Sequence, residues 1–193
     1  MSLITEYKDW VDEQMQINLW GSTVCTPRWL FGQKSDQNSI YPMWFQTFWE
    51  TLNGRYAPDA PQYVKEIGDR FLDICGDEYV LIRHMLSGNT FGQDGDIHDD
   101  WPMPEESLTG VLYLNRRWED NWGGETVVYN REDRNQMEIS KIEAGKLIVF
   151  DGSNPHIGKG PQRVCGDLRC IIAMQAVKED AWRKLIDKNK KKS

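Results

Sequence analysis

Two kinds of hydrophobic pattern divide the chain near residue 76. Over residues 60–76 apolar side chains recur at helical spacing and predict an amphipathic helix, with one apolar face formed by Tyr63, Ile67, Phe71 and Ile74. Pro61 lies in its first turn and Gly76 just past its end. We also predict a helix over residues 42–53, where the apolar residues at helical spacing are Trp44, Phe45, Phe48, Trp49 and Leu52. The first third of the chain is therefore expected to form helices and loops.

After residue 77 the pattern changes to short apolar runs separated by Gly, Asn, Asp and Pro clusters, which is typical of strands. The predicted strands are 78–83, 108–114, 125–129, 146–150 and 168–177. Residues 178–190 predict a surface helix. Helices followed by many short strands indicate an α+β fold that is mainly β, with a sandwich or jelly roll and N-terminal helices packed against one sheet.

The length of 193 residues favours a single domain over 1–193. We expect a helical and loop part at about 1–76, a core at about 77–177 and a C-terminal helix at about 178–193. No run approaches the roughly 20 apolar residues of a membrane span, and the first ten residues lack the pattern of a secretory signal, so a cytoplasmic location is expected. The net charge of −7 disfavours a nucleic-acid partner.

Two of the three histidines belong to a pattern with the donors of a mononuclear iron site. His98 and Asp100 stand one residue apart, and the only later histidine is His156. Two imidazoles and one carboxylate bind one face of a non-haem Fe(II) and leave the opposite face for a co-substrate and oxygen. Alternation along an extended segment places Asp99 on the other side, so Asp99 is not predicted as a ligand. The other three residues are candidate metal ligands and catalytic residues.

The sequence around these residues resembles that of a known enzyme family. Residues 87–100 (SGNTFGQDGDIHDD) are similar to the lead-in to the iron site of prolyl 4-hydroxylase-like 2-oxoglutarate/Fe(II) dioxygenases. The other similar stretches, in family order, are 110–118, 122–126, 145–156 and 168–173. The resemblance implies a double-stranded β-helix (jelly-roll) core that holds Fe(II) and 2-oxoglutarate. It also implies O2 as the second co-substrate, with ascorbate as a candidate reductant.

The distal carboxylate of 2-oxoglutarate needs a cation, and a guanidinium binds a carboxylate through two hydrogen bonds. Both Arg163 and Arg169 follow His156. The resemblance favours Arg169, which begins an apolar strand where an unpaired charge would be costly to bury. We expect Arg163 at the rim, as a candidate substrate contact. The resemblance also gives Tyr113 a hydrogen bond to the same carboxylate, whereas a further tyrosine of the family is replaced by Met85.

The resemblance implies hydroxylation of a C–H bond, coupled to conversion of 2-oxoglutarate into succinate and CO2. Related halogenases carry a small residue in place of the carboxylate ligand, so the presence of Asp100 predicts hydroxylation without halogenation. The candidate substrates are a prolyl residue of a peptide or protein and, alternatively, a free amino acid or small metabolite. Candidate substrate contacts are Trp101, Trp118, Trp122 and Arg163.

Three other interpretations of the function stay open. A non-enzymatic jelly-roll binding module would use the tryptophans as stacking platforms for sugar. A cupin-like site would hold zinc or manganese in the same ligands without 2-oxoglutarate, although Arg169 speaks against it. A nucleobase demethylase would use the same scaffold, but the acidic net charge argues against it. His84 has no obvious partner in the pattern and is interpreted as a structural residue.

Overall fold

Short antiparallel strands make up most of the regular structure. The structure, a computed structural model, describes residues 2–35, 39–51 and 53–190, without the side chains of 189 and 190. The strands are β1 (Thr5–Tyr7), β2 (Leu30–Gln33), β3 (Met43–Thr47), β4 (Trp49–Glu50), β5 (Arg55–Tyr56), β6 (Tyr79–Asn89), β7 (Ser107–Tyr113), β8 (Thr126–Tyr129), β9 (Met137–Ser140), β10 (Leu147–Asp151), β11 (His156–Gly158) and β12 (Arg169–Lys178). The helices are α1 (Glu13–Leu19), which continues into a π-helical turn (Trp20–Val24), α2 (Gln62–Cys75) and α3 (Glu179–Lys190).

Most of these strands form two facing sheets, while β4 and β5 pair with each other separately. The large sheet has the order β1-β10-β7-β12-β6-β3-β2, and the small sheet has the order β11-β8-β9. Buried residues from β7, β8, β10 and β12 pack together between them, including Tyr113, Val128, Ile148 and Ile171. Apolar residues at alternate positions therefore close the space between the sheets. This arrangement is the predicted jelly roll, and the fold class is confirmed.

The helix α2 covers the outer face of the large sheet. Its residues Val64, Ile67 and Phe71 are fully buried, while Tyr63 at the start of the helix is exposed. A Cβ at Gly110 of β7 would lie 2.7 Å from the Phe71 ring, so the glycine lets the helix approach the sheet closely. The predicted helix and its packing against one sheet are confirmed, but Tyr63 lies outside the buried stripe that the spacing indicated.

The helix predicted over residues 42–53 was wrong. The chain forms β3 and β4 there, and Leu52 lies outside the described residues. Trp44 pairs with Gly88 and Thr47 with Met85, so β3 exchanges backbone hydrogen bonds with β6. Aromatic and β-branched residues fit such a pleated surface well. The helical spacing carried no information about a partner strand 40 residues further along the chain.

The chain passes from helix to strand near residue 76, since α2 ends at Cys75 and β6 begins at Tyr79. The strands are not confined to 77–177, however, since β1, β2 and β3 join the large sheet from the N-terminal part. The short strands β9 and β11 were also not predicted. No helix in the described ranges is both long and apolar enough to span a bilayer. The C-terminal helix α3 agrees with the prediction as far as residue 190, where the description ends.

Candidate metal centre and adjoining cavity

Backbone pairing brings the predicted ligands together. The amide of His98 donates to the carbonyl of His156 (3.1 Å), and the amide of His156 donates back to the carbonyl of His98 (2.8 Å). The amide of Asp100 donates to the carbonyl of Gly152 (2.8 Å), so the segment before β7 runs antiparallel to the one that leads into β11. Asp99 is exposed between its two neighbours, as the alternation predicted.

The three side chains converge. One donor atom from each of His98, Asp100 and His156 lies within 4.8 Å of the others. The Nε2 atoms of His98 and His156 lie 3.8 and 3.5 Å from the carboxylate oxygens of Asp100. The carboxylate also accepts a hydrogen bond from the Thr109 hydroxyl (2.7 Å), which holds it toward the histidines. This group of donors matches a two-histidine, one-carboxylate metal site.

The histidines are held in the form that metals require. The Nδ1 atom of His98 lies 2.9 Å from the carbonyl of Asp96, and that of His156 lies 3.0 Å from the carbonyl of Asn154. A carbonyl only accepts, so each Nδ1 carries the proton and each Nε2 presents a lone pair. Burial lowers the pKa of His156, which favours the neutral ring. The residues therefore fit an Fe(II) ion.

Asp100 stays ionised although it is buried. Burial alone would raise its pKa, but His156, Arg83, His98 and the Thr109 hydrogen bond outweigh it, and its pKa lies below its ordinary value. Arg83 of β6 places a guanidinium nitrogen 3.8 Å from the carboxylate. Arg83 was not predicted at the site, because only the register between strands brings it there.

A cavity extends from the three ligands between the two sheets. Alternate residues of three neighbouring strands of the large sheet line it, among them Arg83 and Met85 of β6, Thr109 and Val111 of β7, and Arg169 and Ile171 of β12. The period-2 spacing along each strand is the signal that could have identified these side chains as a set. The cavity therefore joins the metal ligands to Arg169.

Arg169 is buried and has only neutral partners. It is 1% exposed, and its guanidinium donates to the carbonyl of Gly124 (2.7 Å) and to the Thr126 hydroxyl (3.1 Å), with Asn89 Oδ1 at 3.5 Å. Within the described ranges no carboxylate lies at ion-pair distance from it. A buried cation without a counter-charge is costly, so the site favours an anionic ligand in the cavity. The donor set fits the distal carboxylate of 2-oxoglutarate.

Tyr113 stands behind this position. Its hydroxyl donates to Thr126 Oγ1 (2.9 Å), with the carbonyl of Ser140 as a second acceptor at 3.2 Å, and its ring lies 6.0 Å from the Arg169 guanidinium carbon. Burial raises the pKa of Tyr113 and keeps the hydroxyl protonated. The structure thus connects Tyr113 to Arg169 through Thr126, and its direct contact with a co-substrate stays a prediction.

The four candidate substrate contacts do not line this cavity. Trp101 is 8% exposed and packs with Ile82 and α3, and its indole donates to Glu106. Trp118 and Trp122 stack edge to face, and Arg163 is exposed on the loop before β12. Their substrate roles stay predictions. Residues that the sequence reasoning missed around the cavity include Arg83, Asn89, Thr109, Thr126 and Gln175.

A jelly roll with two histidines and one carboxylate beside a buried arginine defines a non-haem iron oxygenase that uses an oxo-acid co-substrate. The sequence agrees. Residues 82–174 match the family described as the 2OG-Fe(II) oxygenase superfamily. The superfamily uses Fe(II), 2-oxoglutarate and O2, so the predicted family and its co-substrates are confirmed.

Solved structures show the same fold at low sequence identity. A prolyl hydroxylase from Trichoplax adhaerens, in complex with a hypoxia inducible factor peptide fragment, has a TM-score of 0.69 at 18% identity, covering 92% of this chain and 84% of that one. A prolyl-4-hydroxylase from Pseudomonas putida has a TM-score of 0.66 at 15% identity, covering 92% and 93%. The carbocyclase SnoK of nogalamycin biosynthesis has a TM-score of 0.64 at 11% identity, covering 91% and 79%. No curated protein sequence matches this chain significantly.

Proposed function

We propose that this protein is an Fe(II)- and 2-oxoglutarate-dependent hydroxylase of an unactivated C–H bond. The observation that carries the proposal is one cavity that connects His98, Asp100 and His156 to the buried guanidinium of Arg169. The three ligands hold the metal, and Arg169 holds the distal carboxylate of 2-oxoglutarate. When bound, Fe(II) and 2-oxoglutarate would supply the oxidation: 2-oxoglutarate would lose CO2 and take one oxygen atom of O2 to become succinate, and the other oxygen atom would enter the C–H bond of the substrate.

The protein's own residues position the reactants and exclude water. Carbonyls of Asp96 and Asn154 fix the two imidazole rings, and the Thr109 hydroxyl fixes the carboxylate. Apolar side chains of β7 and β12, among them Val111 and Ile171, form the wall between the metal ligands and Arg169. Because this wall is apolar, it lowers the local dielectric and strengthens the ionic contact with the co-substrate carboxylate.

Two substrate classes are compatible with this site. The likeness in fold to prolyl hydroxylases is compatible with a prolyl residue of a peptide, and the likeness to a carbocyclase of nogalamycin biosynthesis is compatible with a small molecule. At identities of 18% or less these likenesses describe the fold alone. Succinate release in the presence of proline-containing peptides and of free amino acids compares the two classes directly.

The proposal is tested by anaerobic titration of the metal-free protein with Fe(II) and 2-oxoglutarate. A weak visible charge-transfer band that needs both components is expected. It should be lost in Asp100→Ala and Arg169→Ala, and it should persist in Arg163→Ala, the matched control on the neighbouring loop. If the folded native protein gives no band under reducing conditions, the result contradicts the proposal and favours a binding module or a site for another metal.

A further inference from the structure

Arg83 is a cation with few partners at the edge of the site. Its side chain is 34% exposed, and it lies opposite Gln175 in the pairing of β6 with β12. The hydrogen bond that the structure gives it runs from Nε to the sulfur of Met85 (3.0 Å), and a thioether is a weak acceptor. A guanidinium has five donors, so within the described part of the chain most of its donors point at no protein acceptor.

The carboxylate beside Arg83 has other partners. Asp100 lies 3.8 Å from the guanidinium, beyond hydrogen-bond distance, and its carboxylate is already bound by Thr109 and faces the two histidines. A metal bound by this carboxylate would take up its negative charge. Arg83 would then face a site whose net charge has become more positive, and a half-buried guanidinium in that position attracts an anion.

A groove leads from this point to the surface. It shares Arg83, Met85 and Gln175 with the metal cavity, and its outer walls carry Trp49 and Trp182. Among the residues that the structure describes, the side chains that line the groove include the cations Lys34 and Arg83 and no carboxylate. In a chain with a net charge of −7, a path whose described lining carries cations and ends at a guanidinium is suited to an acidic ligand.

We propose that the prime substrate enters through this groove and that Arg83 binds a carboxylate of that substrate beside the metal. The inference rests on the proposed function and adds the substrate class, an acid whose oxidised C–H bond lies close to the carboxylate. Arg83 is then a specificity-determining residue, because its guanidinium forms an ion pair with a carboxylate and cannot form one with the corresponding uncharged amide. The acid is either a free amino acid or the acidic side chain of a peptide.

The experiment measures binding with a redox-inert metal, so that it needs no turnover. The full chain is loaded with Zn(II) and saturating 2-oxoglutarate, and ligand-observed NMR compares acids with their amides. One arm uses the free amino acids and their carboxamides, and the other uses acetyl-Gly-Pro-Glu-Gly-amide and acetyl-Gly-Pro-Gln-Gly-amide. At least one acid should bind about tenfold or more tightly than its amide. The arm in which it appears identifies the source of the carboxylate.

The variants connect that preference to Arg83. Arg83→Gln should abolish the preference for the acid, and Arg83→Lys should retain part of it because the charge remains. Arg55→Gln, an exposed arginine of β5 paired with Glu50, is the matched control and should behave like the native protein. If no acid is preferred, or if Arg83→Gln keeps the preference, the inference is overturned. Failure of the proposed function is distinguishable, since native protein would then fail to take up 2-oxoglutarate at the loading step.

Discussion

Replacing Arg169 with methionine separates the stability of the empty protein from its response to 2-oxoglutarate. The variant keeps an unbranched apolar stem and removes a guanidinium that is 1% exposed. It leaves the carbonyl of Gly124 without its 2.7 Å donor, which costs about 1–3 kcal/mol. It also removes a buried cation that lacks a counter-charge. Relief of the desolvation cost of that cation offsets the lost hydrogen bond by about the same amount. The unfolding free energy of the empty protein should therefore change by less than about 2 kcal/mol.

The response to 2-oxoglutarate should change far more. At a free concentration 100 times its Kd, a ligand stabilises the native protein by about 2.7 kcal/mol. Losing one partner of a buried, hydrogen-bonded charge pair costs about 3 kcal/mol, or roughly 150-fold in affinity. The same concentration then stabilises the variant by only about 0.3 kcal/mol. Since 1 kcal/mol shifts Tm by about 2–4 °C in a chain of this size, a native shift of about 5–11 °C falls to about 1 °C.

The assay is thermal unfolding with Mn(II) and a series of 2-oxoglutarate concentrations. Arg163→Met is the matched control, because Arg163 lies on the loop just before β12 and its side chain is exposed. It should retain the native shift. If Arg169→Met retained the full shift, Arg169 would not be the partner of the distal carboxylate. If Arg163→Met lost it, the roles of the two arginines would have to be exchanged.

Three further predictions concern the metal ligands and the core. Asp100→Ala should weaken Fe(II) binding by more than about 100-fold in a chelator competition, because it removes a ligand and not only a supporting contact; unchanged affinity would remove Asp100 from the ligand set. Burial lowers the pKa of His84 to about 3, so the unfolded state binds the proton first as the pH falls below about 6.5, and stability falls with it. Between pH 7.5 and 5 this loss is about 2 kcal/mol, and urea unfolding of His84→Leu should lack it; an equal loss in both proteins would contradict the argument. Gly110→Ala should cost about 1–3 kcal/mol in urea unfolding, because its Cβ would meet the Phe71 ring at 2.7 Å, whereas Gly21→Ala, with nothing within 4 Å, should not destabilise; equal effects would refute the packing argument.

The convergence of the three candidate metal ligands was predictable, because it depends on residue types and on local spacing. His98 and Asp100 have the period of an extended segment, and His156 is the only later histidine. The fold class was predictable for a similar reason, since the alternation of apolar residues after residue 77 is local. The helix α2 was found from its own spacing, and its buried residues agree with that spacing except at Tyr63.

Trp101 and the segment at Trp44 show where a local pattern stops being informative. Trp101 follows Asp100 in sequence, yet it packs beneath α3, because the amides of both residues donate to the same carbonyl of Gly152 and the chain turns away from the cavity. The segment at Trp44 has helical spacing but pairs with β6. In both cases a partner distant in sequence decided the outcome.

The amino-acid sequence establishes which candidate metal-binding side chains the chain carries and the order in which they occur. It contains the carboxylate and the two histidines of the candidate site, and an arginine at the start of an apolar strand. Folding establishes which other polar groups meet them, because strand register sets which side of a sheet each residue faces. Arg83 reaches the metal ligands only because β6 lies beside β12 in the register that places Arg83 opposite Gln175. Register depends on packing across the whole sheet, and no local spacing along β6 contains it.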